Sequence, residues 1–159
     1  MLHPAAAHFA ISLPIISLVL GLLYIFKPSE IMSKISTRFL VFAAIFVVVA
    51  YFTGKNDAKE VFEFLTSDGK TALGAHAKLG LNLAIAMSVL AVIKMFACFK
   101  KIFKVELIVV ILLGVVTIGI LTQGKMGGEI TYTHGAHVLD HAKGQACIVE
   151  AAEMEDDDE

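Results

Sequence analysis

Four long apolar runs, near residues 4–26, 37–53, 73–99 and 105–122, leave this chain few ways to fold. Such lengths approach or exceed the ~20 residues a helix needs to cross ~30 Å of hydrocarbon. In lipid only helices and closed barrels satisfy every backbone polar group, and these runs lack the alternation of barrel strands. The expectation is an all-α protein, a four-helix transmembrane bundle within a lipid bilayer. With 159 residues there is room for one domain, placed at 1–145. The acidic end, 146–159, reads as a solvated, disordered tail. A hydrophobic share of 57% belongs with a membrane protein, and a net charge of −2 gives no reason to expect a nucleic-acid partner.

Basic residues between the runs suggest an orientation. Lys27, Lys34 and Arg38 follow the first run, and Lys94, Lys100, Lys101 and Lys104 lie around the turn between the third and fourth. Cytoplasmic loops collect such residues. On the other side Lys55, Lys59, Lys70 and Lys78 are interleaved with Asp57, Glu60, Glu63 and Asp68. The expected topology is a multi-pass protein of a bacterial inner membrane with both termini outside. Residues 1–7 carry no Lys or Arg ahead of the apolar run, so the first span is expected to stay in place rather than be cleaved as a signal peptide.

All six histidines, His3, His8, His76, His134, His137 and His141, then fall at the outer face. Imidazoles gathered there are suited to holding a metal or a haem iron. Pro4 suits the first turn of a helix, which places His8 one turn in. At ~100° per residue, His3 and His8 point about 140° apart, too far to share one iron. His76 opens the third span, with Gly80 four residues on leaving room for a flat macrocycle or a neighbouring helix. The glycines of 123–128 predict irregular backbone, with His134 presented from a loop over the bundle mouth. His134, His137 and His141 also stand at i, i+3 and i+7, a spacing that would bind zinc or copper on a helix, with Asp140 or Cys147 nearby. His137 and His141 read more simply as solvated polar residues.

Several other residues carry plain structural expectations. Residues 56–68 read as a short interfacial helix or a polar connector. Asn82 and Thr117 are expected to bond between helices, and Glu106 to anchor near Lys101 at the cytoplasmic interface. Pro14 should kink the first span, with Ser12 satisfying a freed backbone group. Cys98 and Cys147 fall on opposite sides, so no intrachain disulfide is expected. The absence of a Cys-x-x-Cys-His sequence excludes covalent c-type haem attachment by that motif.

His3-Pro4-x-x-x-His8-Phe9, Thr53-Gly54, His76, and Gly127-Gly128-x-x-x-Tyr132-x-His134-Gly135 occur in an order that resembles the DUF2231 family of small four-helix membrane proteins. The resemblance runs to about Val138. It implies a membrane protein with clustered histidines and a suspected b-type haem or redox role, carried here by His3, His8, His76 and His134. Ala10 and Ser12 depart from the more uniformly apolar stretch typical after the second histidine, and His137 stands where the family usually has a small residue.

Bundles build cofactor sites from side chains on facing helices, so His8 and His76 are the expected iron ligands. His3 and His134 would serve a second haem or contact propionates. The expected function is electron transfer through haem b, exchanging with a quinol or a periplasmic redox protein, as a carrier rather than a self-sufficient enzyme. The alternatives are a copper-binding membrane protein using the same histidines, or a structural or assembly subunit; a homo-oligomer is compatible with each.

Overall fold

The computed structural model describes residues 3–134. His137, His141, Asp140, Cys147 and the acidic tail lie outside that range. Within it the chain forms α1 (His3–Phe26), α2 (Glu30–Val61), a single 3-10 turn (Phe62–Phe64), α3 (Ser67–Lys100) and α4 (Phe103–Tyr132). All four helices are long and apolar enough to cross a membrane. Each packs on its neighbour in sequence, and α1 returns against α4, so the four close into a bundle. Short connections of this kind run the helices up and down in alternation.

Local chemistry sets the helix ends. The Ser29 hydroxyl accepts from the Met32 N–H at 3.2 Å to start α2, and the Thr66 hydroxyl accepts from the Gly69 N–H at 3.2 Å to start α3. Lys101 ends α3 in the left-handed region at φ 56°, where its N–H reaches the Ala97 and Cys98 carbonyls. Between helices the core is built from small residues, Ala6, Ala10, Ala43, Ala50, Ala84 and Ala91, around Leu40, Met87, Val109 and Leu113. Lipid tails are as apolar as leucine, so close backbone approach rather than apolarity draws membrane helices together. Outward faces carry Phe42, Ile45, Val92, Ile111, Val115 and Ile118, all exposed.

The helices run past the apolar runs that announce them. At 1.5 Å per residue, the 24 residues of α1 span about 36 Å, and the 32, 34 and 30 residues of α2, α3 and α4 span about 45–51 Å. Residues 123–128 are helical and not an irregular lead-in, so His134 follows directly after the end of α4. Residues 56–61 extend α2 instead of starting a separate helix. Because His3 meets Thr53 while α2 continues to Val61, about two turns of α2 stand beyond the start of α1.

Several polar residues sit differently from expectation. Lys94, counted above with the loop cations, is buried inside the bundle and paired with Glu106, which therefore meets Lys94 rather than water or Lys101. Asn82 is on the exposed face of α3 rather than between helices. Pro14 is buried within an α1 that continues helical on both sides, and Ser12 donates to the His8 carbonyl at 2.8 Å, not to the Ala10 carbonyl that the proline leaves without its usual donor. Thr117, likewise, bonds within its own helix, to the Leu113 carbonyl at 2.7 Å.

Candidate functional site

A partly open cavity of about 300 Å³ lies at the histidine end, walled by all four helices. Its lining is mostly apolar, from Ala7, Ala10 and Ile11 on α1 to Leu83 and Ile120 at the core side. The polar exceptions include His3, Tyr51, Lys55, Asp57, His76 and Gln123. The fold thus brings His3 and His76 to one cavity.

His8 is not among the lining residues. It is exposed, and its Nδ1–H donates to the Pro4 carbonyl at 2.6 Å. The 140° offset between His3 and His8 holds, and it is His3 that turns inward. A signal for this was present: Ala6, Ala10, Pro14, Ser17 and Gly21 form the buried stripe of α1. Small residues mark the packed face of a membrane helix. His3, three residues before Ala6, shares that stripe, whereas His8 falls off it. His134 is half-buried outside this cavity, packed where a Cβ on Gly69 would lie 3.3 Å from its own Cβ.

Glycines hold the imidazoles in place. A Cβ on Gly54 would lie 2.7 Å from the His3 ring, so α2 accepts that ring only because residue 54 has no side chain. A Cβ on Gly127 would meet His76 Cε1 at 3.3 Å. Gly80 makes room for a side chain of α4, Gln123, whose Nε2 would stand 2.9 Å from an added Cβ.

Hydrogen bonding fixes how each imidazole carries its proton. The Thr53 hydroxyl donates to main-chain carbonyls of its own helix, at 2.9 Å to Val49 and 3.2 Å to Ala50. It therefore accepts from His3 Nδ1–H at 3.3 Å, and in the neutral ring the lone pair then lies on Nε2. Gln123 Nε2 donates to the His76 carbonyl at 3.0 Å, so that atom is the amide nitrogen, and its other N–H donates to His76 Nε2, also at 3.0 Å. His76 then carries its hydrogen on Nδ1. One ring offers a lone pair and the other an N–H.

Three buried polar atoms of the lining residues have no partner among the described residues: His76 Nδ1, Gln123 Oε1 and Asp57 Oδ2. Leaving a polar group buried and unpaired costs about 1–3 kcal/mol, so three around one cavity are unusual. Sequence reasoning passed over Asp57 and Gln123, since each lies in a polar stretch beyond its apolar run. Only Gly80, four residues from His76, hinted that a neighbouring side chain reaches in.

At the opposite end, four helices meet at one carboxylate. Glu106 of α4 receives Tyr24 of α1 at 3.0 Å on Oε1, and on Oε2 Ser33 of α2 at 2.7 Å together with Lys94 of α3. The Lys94 ammonium also sits 4.5 Å from the centre of the Tyr24 ring.

A family model described as Predicted membrane protein (DUF2231) matches residues 1–140. No curated protein and no solved structure matches the chain.

Proposed function

The chain belongs to the DUF2231 family of membrane proteins, and from that footing we propose that it is an electron-transfer component whose histidine-end cavity binds a flat, largely apolar, redox-active molecule. One observation carries the reading. An apolar cavity, made by glycines and bounded by two imidazoles, keeps three buried polar atoms without partners among the described residues. Binding sites of this type combine an apolar wall with a few polar groups that fix orientation.

Haem b is one molecule of that description, and when bound it would supply one-electron chemistry at its iron. The residues fit it in part. His3 would be the prepared ligand, with Nε2 unprotonated and Nδ1 held by Thr53, the outer hydrogen bond that orients a metal-binding imidazole. His76 would have to leave Gln123 before its own Nε2 became available. His8, exposed and bonded to Pro4, would need a different α1 orientation to join it.

Copper is less well served. Among the described residues no group of three or more His, Cys, Asp or Glu side chains is placed to hold a metal ion. Haem asks the protein for one or two ligands because the porphyrin supplies four; a bare transition ion asks for three or four.

The test is the protein purified from membranes in mild detergent, with its absorbance recorded before and after reduction. The expected result is a redox-active chromophore present in stoichiometric amount and lost from Gly127→Phe, which fills the cavity beside His76. A correctly folded protein without any redox-active absorber, as purified or after loading, overturns the proposal.

A further inference from the structure

Resting on the reading that this cavity takes a redox-active molecule, we propose that its ligand is a hydroquinone head group, a quinol drawn from the bilayer, bound in preference to the oxidised quinone. The inference comes from His3 and the three buried polar atoms of the lining that have no partner among the described residues. His76 Nδ1–H is a donor. His3 Nε2, Gln123 Oε1 and Asp57 Oδ2 are acceptors. Tyr51 and the exposed Lys55 also line the cavity and can donate to either form of the ligand, so discrimination rests on these four groups, among which acceptors outnumber donors three to one.

A quinone offers two carbonyl oxygens, which only accept. It can use His76 Nδ1–H and nothing else in this set. A hydroquinone offers two hydroxyls, each able to donate one hydrogen bond while accepting another. One hydroxyl donates to Asp57 or His3 and accepts from His76, and the other donates to Gln123. The reduced form satisfies atoms that the oxidised form leaves bare, and the cost of a buried unpaired group sets the preference. In the unliganded arrangement the three unpartnered atoms are covered by their neighbours, so the side chains that carry them must turn to meet the head group.

Size points the same way. A cavity near 150 Å³ in another protein holds a benzene ring. The 300 Å³ here is about twice that, room for one substituted six-membered ring and the root of a tail. It is at the low end of small-molecule sites. The walls at Ala7, Ala10, Ile11, Leu83 and Ile120 suit an apolar tail.

The probes are a decyl-substituted 1,4-benzoquinone and its hydroquinone, titrated anaerobically into the full-length protein in lipid nanodiscs and followed by the ¹⁵N signals of labelled histidine. Saturable binding of the hydroquinone is expected, about tenfold or more tighter than the quinone, equivalent to one further satisfied hydrogen bond. His76 should shift and His8 should not. Gln123→Leu and Asp57→Leu should each weaken the hydroquinone about tenfold and bring the two forms closer together, while His8→Ala changes nothing. A melting curve checks that each variant is folded, and the conservative Asp57→Asn, which retains an oxygen acceptor, should lose less.

Equal affinity for the two forms, or hydroquinone binding unmoved by Gln123→Leu and Asp57→Leu in folded protein, overturns the proposal. A porphyrin found in the purified protein and filling the cavity overturns it too, while leaving the redox-ligand reading intact. Absence of any redox absorber and of any quinol binding removes both.

Discussion

Glu106 shows how much one buried side chain can organise. Its carboxylate is fully used by three donors, and both it and Lys94 are 1% exposed. Paired charges inside a membrane bundle are tolerated because each satisfies the other, and breaking such a pair is worse than deleting it. Glu106→Leu alone is therefore expected to destabilise the protein by about 3–5 kcal/mol, since Lys94 keeps its charge without an anion. Lys94→Met with Glu106→Leu should recover much of that loss. Urea or thermal unfolding in detergent checks the ranking; a double variant no more stable than the single one contradicts it. The pair was not legible in the sequence because twelve residues and a turn separate its members, and nothing local says that α3 carries Lys94 on its inner face. The ring of His3 has a similar sensitivity. Gly54→Ala places a methyl 2.7 Å from it, so the ring must move off Thr53. The expected outcome is at least a tenfold loss of ligand affinity with little change in melting temperature, checked by the same quinol titration.

At the scale of elements, α4 departs most from what its composition suggests. Gly124, Gly127 and Gly128 are poor helix formers, and they led to an expectation of irregular backbone after residue 122. Tertiary contacts override that preference. Gly124 lies under Ile11 and Gly127 under His76, so two of the glycines permit close approach and the helix continues to Tyr132. Gly128 has nothing within 4 Å of an added Cβ, and neither does Gly74 on α3. Alanine at either position should stabilise the fold by about 0.5–1 kcal/mol, since the helix loses a conformationally costly residue without a clash. Gly119→Ala should do the opposite, because its methyl would stand 2.8 Å from Leu83 Cδ2. Melting temperatures of the three variants in one detergent check the contrast. The four spans themselves were plain in the sequence, because apolar length is a direct consequence of bilayer thickness. Their ends were not, because the parts of α2, α3 and α4 beyond the apolar runs are held by caps and by each other.

Across the whole molecule, the excess of positive charge and the histidine-lined cavity lie at opposite ends of the bundle. The connection end carries Lys27, Lys34, Arg38, Lys100, Lys101 and Lys104, with Glu30 bonded to Lys34 at 2.7 Å and Lys101 at 3.2 Å. Lys94 no longer counts towards this end, being neutralised by Glu106, yet the excess of free cations there survives. The cavity end mixes Lys55, Lys59, Lys70, Lys78 and Lys125 with Asp57, Glu60, Glu63, Asp68 and Glu129. Lys and Arg near span ends favour the cytoplasmic side, which would put the cavity mouth outside. In a Cys98→Ala, Cys147→Ala background expressed in a bacterial inner membrane, Asn56→Cys should react with a membrane-impermeant maleimide from the outer face of intact spheroplasts. Ser29→Cys should react only after lysis. Reversed labelling would turn the cavity towards the cytoplasm and exchange the compartment with which a bound redox molecule trades protons. The internal geometry of His3, His76, Gln123 and Asp57 is the same in either orientation, so the labelling decides the direction of that exchange while the quinol titration decides its chemistry.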